Sequence, residues 1–231
     1  LDLGAGDILY DPFDPAELSV RIKTQLRRKR QSDRLRATVE AGLELAVTDS
    51  LTGLHNRRYA LNQLGRLLAA PGQGLAVMML DLDHFKLVND QFGHAAGDRV
   101  LATIAKRLRS QLRGQDLVAR LGGEEFLVAM PDTDPDHALH CAERLRRAIG
   151  GQPISLPGIA QPINVTVSVG IALGQPGQDQ ADALIARADR ALYEAKRHDG
   201  GAFCFAGETR PEPRGGLAGD GPGVQQLARS A

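Results

Sequence analysis

The segment Leu75–Leu82 constrains the fold of this 231-residue chain more than any other stretch of its sequence. Its first six residues are all apolar, so neither face of a strand built from them suits contact with water. Such a run is typical of a strand that lies in the centre of a sheet and is buried on both faces. Asp81 and Asp83 place two carboxylates where this strand ends, although apolar residues would be expected to continue there.

Short segments of alternating periodicity surround this central strand. Apolar residues at helical spacing predict helices over 56–69, 85–92, 96–112, 134–149 and 181–197. Alternation or continuous apolar runs predict further strands over 117–121, 125–130, 163–173 and 202–205. The order of these elements indicates an α+β sandwich, in which an antiparallel sheet of the ferredoxin-like, split βαβ kind carries helices on one face.

A long helix is predicted upstream of these elements, over about 15–46. Asp14 and Pro15 form a helix start signal, and no Pro or Gly interrupts the following sequence until Gly42. Apolar residues recur along it at helical spacing, so we expect a stalk that pairs with a second copy of the chain. Residues 207–231 contain six Gly and three Pro without apolar periodicity, which predicts a disordered tail.

Composition excludes several classes of function. The 28 basic and 28 acidic side chains cancel to a formal net charge of zero, which argues against bulk nucleic acid as a partner. No apolar run approaches the roughly 20 residues of a membrane-spanning helix, so no membrane span is predicted. The two cysteines, Cys141 and Cys204, lie far apart in the sequence, so we predict reduced thiols and a cytoplasmic protein.

Acidic residues also open the second strand of a predicted hairpin. Gly122-Gly123 between two apolar strands fits a tight turn with positive φ, and turn geometry explains both glycines. It does not explain Glu124-Glu125, because acidic residues are depleted in strands and two adjacent ones need a cation to offset their charge. With Asp81 they predict a site for Mg²⁺ and a nucleotide, since Mg²⁺ takes oxygen ligands. For Asp83 the simpler interpretation is a cap on the helix that follows.

The segment between the central strand and the next long helix is rich in Asn, Asp and Gly. Asn and Asp side chains within 89–98 could together bind the edge of guanine, with Asp accepting hydrogen bonds from the ring N–H and the amine. Turn and capping chemistry around Gly93 and Gly97 explains the same residues about as well. The residues alone leave both interpretations open.

Three motifs, read in order, resemble the GGDEF family of diguanylate cyclases. They are DSLTGLHNRR at 49–58, DLDHFK at 81–86 and GGEEF at 122–126. The resemblance covers about 49–205, and residues 4–9 and 12–18 resemble the end of a phosphoryl-receiver domain, as in response regulators that carry a C-terminal cyclase. It implies four parts: a receiver remnant at 1–31, a helical linker at 32–48, a GGDEF domain at 49–206 and a disordered tail at 207–231.

The resemblance implies that the chain condenses two GTP into cyclic di-GMP and two pyrophosphates, with a homodimer required for catalysis. Asp81, the backbone carbonyl of Leu82 and Glu124 would bind Mg²⁺, with two ions expected and Mn²⁺ as a substitute. Glu124 would also activate the 3′-hydroxyl, with Glu125 as a second acidic group. The other implied contacts are with phosphate for Lys86 and Lys196, with guanine for Asn89 and Asp98, and with the nucleotide for His94, Gly122 and Gly123. For His94, a histidine that stabilises the turn is the alternative.

A regulatory site is implied as well. Arg113-Gly114-Gln115-Asp116 matches the RxxD inhibitory motif of the family, and Arg144 on the next predicted helix fits its additional arginine. Both would bind the product, cyclic di-GMP, as a non-competitive inhibitor. The family often has Gly-Arg-Asn after the last helix, and this sequence lacks it. If that Arg helps to bind the triphosphate, either Arg197 substitutes for it or the affinity for GTP is lower.

Two other functions stay open at this point. A non-enzymatic receptor for GTP or cyclic di-GMP would use the same sites, although degenerate receptors usually lose carboxylates such as Glu124 and Glu125. A nucleic-acid polymerase palm shares the fold and the use of two carboxylates. It would need a basic groove, which the globular part of this sequence lacks.

Overall fold

The computed structural model describes residues 19, 21–33, 47–70, 72, 74–197 and 201–206. Residues 21–33 are helical (α1), within the segment predicted to form the stalk. Residues 1–18, 20 and 34–46 of the predicted receiver remnant and linker, and the predicted tail at 207–231, lie outside the described residues. No helix in the described part of the chain is both long and apolar enough to cross a membrane.

The remaining elements alternate between helices and strands, close to the predicted order. The strands are β1 His55–Asn56, β2 Leu75–Leu82, β3 Leu117–Gly122, β4 Glu125–Pro131, β5 Val167–Gly174 and β6 Phe203–Phe205. The helices are α2 Arg57–Ala69, α3 Phe85–Phe92, α4 His94–Gln111, α5 Pro135–Gly150 and α6 Ala181–Lys196. Strand β1 was not predicted, because two residues are too short to show a periodicity.

The strands form one six-stranded sheet in the order β1-β3-β4-β2-β5-β6. The four central strands pair antiparallel, as the sequence predicted. The two edge pairs, β1 with β3 and β5 with β6, are parallel, so the whole sheet is mixed. Strand β2 lies between β4 and β5, and every residue in it is buried, which confirms the prediction of a central strand.

Helices cover both faces of the sheet, so the expectation of helices on one face is wrong. Alternate residues of β2 enter two separate apolar cores: 76, 78, 80 and 82 enter one, and 75, 77 and 79 enter the other. Helices α3, α4 and α5 supply the first core, and α2 and α6 supply the second. A strand that is apolar on both faces needs a cover on each. Asp81 has the parity of the second face and therefore points to the side of α6.

Helix α6 approaches β5 more closely than any side chain at residue 170 would allow. A Cβ atom on Gly170 would lie 2.1 Å from the carbonyl oxygen of Ala188 and 2.2 Å from the amide nitrogen of Leu192. Both atoms belong to the backbone of α6, which cannot turn aside as a side chain can. This close packing sets the position of α6 relative to the sheet, and with it the position of Lys196 in its last turn.

We expect Gly170→Ala to lower the free energy of unfolding by about 3 kcal/mol, because the added methyl group would push α6 away from β5. Gly65→Ala on the exposed side of α2 is the matched control, since a methyl group added there would have no neighbouring atom within 4 Å. That change should instead stabilise the protein by about 0.5–1 kcal/mol. Urea unfolding measures both, and equal stabilities for the two variants would contradict this account of the packing.

Candidate active site

The candidate site lies where β2 ends, and Asp81 is at its centre. Its backbone pairs with Glu125 of β4 on one side and with Ser168 of β5 on the other. The side chain is buried, and Lys196 Nζ of α6 lies 2.7 Å from its Oδ1. The structure thus places Asp81 near the C-terminal end of the central strand β2 and brings Lys196, the predicted phosphate contact, against it.

The surroundings of Asp81 are such that a nearby positive charge would stabilise its ionised form. Burial raises the pKa of its carboxyl, the Lys196 ammonium opposes that rise, and the nearby Glu124 and Asp83 charges add to it. A raised carboxyl pKa means that the ionised form is held at a cost, which a further cation would relieve. Lys196 already occupies this role in part, as a protein cation against the carboxylate.

The predicted hairpin is confirmed and presents Glu124 beside Asp81. Gly122 has φ +150° and Gly123 has φ +52°, both in the region that favours glycine, and the pairing of β3 with β4 shifts register here. A Cβ added to either glycine would have no neighbouring atom within 4 Å, so the turn leaves open space against its backbone. The amide of Leu82 donates to the Glu124 carbonyl at 3.4 Å, which connects the end of β2 to the turn.

These donors suit Mg²⁺ better than a metal that needs a cage of side chains. Among the described residues, no group of three or more His, Cys, Asp or Glu side chains could hold a metal ion. Mg²⁺ is usually bound by one or two carboxylates together with water and substrate phosphates. The carboxylates of Asp81 and Glu124 and the exposed turn beside them fit that requirement.

Arg120 anchors the hairpin from below, a role that sequence reasoning missed. Its Nε and Nη2 donate to the Gly123 carbonyl at 2.9 and 2.8 Å, and its Nη1 contacts Asp49 at 3.2 Å. Asp49 in turn accepts from the backbone N–H and the hydroxyl of Thr52, at 2.9 and 2.6 Å. A polar residue in an otherwise apolar strand, two positions before Gly122, was the available signal.

The Asp49 carboxylate is well stabilised in this network. Burial acts to raise its pKa, but the hydrogen bonds from Thr52 and the charge of Arg120 outweigh burial and hold the pKa below its usual range. Thr48, next to Asp49, pairs with His55 through an isolated bridge. The start of the domain is therefore joined to the hairpin by charged and hydrogen-bonded contacts.

The two predicted guanine contacts lie on neighbouring helices. Asn89 is in the last turn of α3, and its Oδ1 would lie 2.0 Å from a Cβ added to Gly97. The absence of a side chain at Gly97 therefore leaves space for the Asn89 amide. Gly97 directly precedes Asp98 near the start of α4. Lys86 is exposed on α3, and His94 is the exposed first residue of α4.

Asp83 is not the helix cap that the simpler interpretation gave it. The N-cap position of α3 is His84, which has φ 54° and makes no side-chain capping bond. The Asp83 side chain instead accepts hydrogen bonds from the Ser168 hydroxyl at 2.6 Å, the Thr166 hydroxyl at 2.6 Å and the Gly201 amide at 2.7 Å. A left-handed residue at 84 turns the chain away before the helix starts.

The predicted inhibitory residues form a second group. The Arg113 amide donates to Asp116 Oδ2 at 2.8 Å, and the exposed Arg113 guanidinium lies 3.0 Å from His137 Nε2. Arg144 of α5 donates to the Gln111 carbonyl at 2.7 Å, at the end of α4. Sequence reasoning missed His137.

The two groups lie at opposite ends of β3. Asp116 comes just before its first residue and Gly122 is its last, a separation of about 20 Å along an extended strand. The structure therefore does not join the predicted inhibitory residues to the metal and phosphate residues in one pocket.

Comparison with known families and structures shows what this chain is similar to. The family described as "Diguanylate cyclase, GGDEF domain" matches residues 46–201. The chain is 47% identical over 199 residues to the response regulator PleD of Caulobacter vibrioides, covering 85% of this chain and 44% of that protein. It is 40% identical to the diguanylate cyclase DgcP of Pseudomonas aeruginosa, covering 78% of this chain and 28% of that protein.

A solved structure of the coiled coil and GGDEF domain of DgcB from Caulobacter crescentus, in complex with c-di-GMP, is also similar. It has a TM-score of 0.74 and 28% identity, and the match covers 82% of this chain and 99% of that one. The fold and the site define a GGDEF-type domain, and the chain belongs to the GGDEF family of diguanylate cyclases. It spans less than half the length of the two curated relatives.

Proposed function

We propose that this chain condenses two GTP into cyclic di-GMP and two pyrophosphates, at the interface of a homodimer. The proposal is based on one observation: Asp81, Lys196 and the hairpin that carries Glu124 lie together where the central strand β2 ends. A triphosphate needs carboxylates that hold its metal, an ammonium group for its oxygens and backbone free of side chains. The site at the end of β2 has all three: the carboxylates of Asp81 and Glu124, the ammonium group of Lys196, and the open turn at Gly122 and Gly123.

The reaction has two equivalent steps. In each, the 3′-oxygen of one GTP bonds to the α-phosphorus of the other, and the bond from that phosphorus to the bridging oxygen breaks to release pyrophosphate. Glu124 accepts the proton of the 3′-hydroxyl. Because each domain offers one such site, two copies of the chain must face each other for both steps to occur.

Asp81, the Leu82 carbonyl and Glu124 would hold Mg²⁺ in this site, with two ions expected and Mn²⁺ as a substitute. Glu125, which pairs with Asp81 across the strands, is a further acidic group there. A metal held by these residues would lower the pKa of the attacking hydroxyl and offset the charge of the leaving pyrophosphate. Lys86 and Lys196 add positive charge for the phosphate oxygens.

Asn89 and Asp98 supply guanine recognition in this proposal, with His94 as a further nucleotide contact. The support is the packing of the Asn89 amide against Gly97, which sets Asn89 close to the start of α4 in a defined orientation. An oriented amide and carboxylate can match the donor and acceptor pattern of a guanine edge, which adenine does not share.

Regulation is proposed at two levels. Arg113, Asp116 and Arg144 would bind cyclic di-GMP as an inhibitor, since the Arg113 and Arg144 guanidinium groups can form paired hydrogen bonds with phosphate. Control by upstream receiver domains is supported by similarity to the response regulator PleD over 85% of the chain. A cytoplasmic location stays a prediction; its basis is the two free cysteines, Cys141 and Cys204.

Glu124→Gln tests the proposal at its centre. The parent chain, given GTP and Mg²⁺, should form cyclic di-GMP, while the variant should lose at least 100-fold in turnover because Gln accepts no proton. The variant should still bind GTP, as judged by equilibrium titration. Separation of the nucleotides by chromatography measures the product.

Two outcomes of that assay would contradict the proposal. Undiminished turnover by Glu124→Gln would refute the role assigned to Glu124. A dimeric parent that binds GTP or cyclic di-GMP but forms no product at any concentration would instead indicate the non-enzymatic receptor.

Gly97→Ala should raise the KM for GTP about tenfold or more, because the added methyl group would displace the Asn89 amide that lies 2.0 Å from its position. The value of kcat at saturating GTP should fall less, because Gly97→Ala does not alter the metal and phosphate residues at the end of β2. Steady-state kinetics measure both constants, with Gly65→Ala as the control. A KM equal to that of the parent would show that Asn89 does not set guanine binding.

Arg113→Ala should raise the concentration of cyclic di-GMP needed for half inhibition by tenfold or more, because its guanidinium is lost as a phosphate contact. Lys106→Ala, an exposed cation on α4, is the control for loss of charge alone. Initial rates at increasing concentrations of added product measure the effect. Inhibition of the same strength in both variants would place the inhibitory site elsewhere.

A further inference from the structure

Asp83 is a charged residue beside the active site that neither metal binding nor helix capping explains. Its carboxylate accepts three hydrogen bonds, from Thr166, Ser168 and Gly201, all between 2.6 and 2.7 Å. A carboxylate has about four lone-pair positions, so three are already used by protein donors. Asp83 is therefore poorly placed to serve as a metal ligand itself.

The same residue fixes the end of β2. Its amide donates to the Thr166 carbonyl at 3.0 Å, so Asp83 is held to the segment before β5 through both its backbone and its side chain. On the other side, Leu82 donates to the Glu124 carbonyl at 3.4 Å, which is long for a hydrogen bond. The tighter attachment of this strand end is therefore on the side of β5.

We infer that Asp83 is a positioning residue for the metal and phosphate site. By joining the end of β2 to Thr166, Ser168 and Gly201, it fixes the Leu82 carbonyl and the Asp81 carboxylate in the directions that metal binding needs. This inference rests on the proposed function, because Asp81 and Leu82 are metal ligands only within it.

Two further contacts support the inference. Ser168 is fully buried and pairs with Asp81 across the strands, so its bond to Asp83 connects the two acidic residues through one neighbour. Gly201 follows α6, the helix that carries Lys196, so Asp83 also ties the chain after that helix to the strand that carries Asp81. Asp83 therefore contacts both a sheet neighbour of Asp81 and a residue that follows the helix of Lys196.

The test compares metal binding in the full chain, its Asp83→Asn variant and its Thr166→Val variant. Mn²⁺ is titrated in the presence of 3′-deoxyGTP, which lacks the attacking hydroxyl, and free Mn²⁺ is measured by electron paramagnetic resonance. Both variants should bind Mn²⁺ more weakly than the parent, Asp83→Asn by tenfold or more. Loss of a residue that supports metal ligands commonly lowers metal affinity by this amount. The Mg²⁺ concentration for half-maximal formation of cyclic di-GMP should rise in parallel.

Asp179→Asn is the matched control. Asp179 also accepts a backbone N–H, from Gln175 at 2.8 Å, and contacts Arg187 at 3.0 Å, but near the opposite end of β5. It should lose thermal stability without a change in Mn²⁺ binding. Thr166→Val keeps the Asp83 charge and removes one donor, so it remains informative if Asp83→Asn does not fold.

The outcomes separate the inference from the proposed function. Mn²⁺ affinities equal to the parent's in both Asp83→Asn and Thr166→Val, with only a lower melting temperature, would overturn the positioning role alone. A parent that binds Mn²⁺ with 3′-deoxyGTP yet makes no cyclic di-GMP would overturn the proposed function, while the effect on Mn²⁺ binding still decides the role of Asp83. A parent that binds no Mn²⁺ would overturn both.

Discussion

The contact between Asp81 and Lys196 is the interaction on which the rest of the site depends. A carboxylate on a buried central strand is costly in charged form, and burial raises its pKa accordingly. The fold supplies one cation from the last turn of α6, which Gly170 allows to lie close against the sheet. A metal ion could take the place of the Lys196 ammonium beside Asp81, and the ammonium would then be available to contact phosphate oxygens.

The elements around this contact hold polar groups in place without filling the space between them. Arg120 binds the carbonyl of Gly123 and leaves the face of the turn open. Asp83 takes its three donors from Ser168 of β5, Thr166 just before that strand and Gly201 after α6, whereas Asp81 has Lys196 as its charged partner. The site is thus built by satisfying one set of polar groups completely and leaving another set available.

Much of this could be predicted from the sequence, and the failures have physical causes. The run at Leu75–Leu82 predicted a central strand because a short, continuous apolar segment suits a strand that is buried on both faces. The same run should have predicted helices on both faces, since alternate residues of a fully apolar strand need two covers. The bonds of Asp83 to Thr166 and Gly201 span 83 and 118 positions of the chain, so no local pattern reveals them. The contact of Arg120 with Asp49 spans 71 positions, and only its polar character within an apolar strand gave a local signal.

The arrangement of β3 also bears on how the inhibitory group could act on the site. Residues 117–119 of this strand are buried, and the strand pairs with β1 on one edge and with β4 on the other. A strand held on both edges and packed in a core does not bend easily, so a ligand at Arg113 and Asp116 would not distort the hairpin about 20 Å away. Within the proposed regulation, inhibition from that position would be better explained by product that holds whole domains where their two sites cannot meet. Under the proposed regulation, that explanation requires the product to bridge from Arg113 to a second surface, so the inhibitory group, like the proposed active site, would be complete only with another domain.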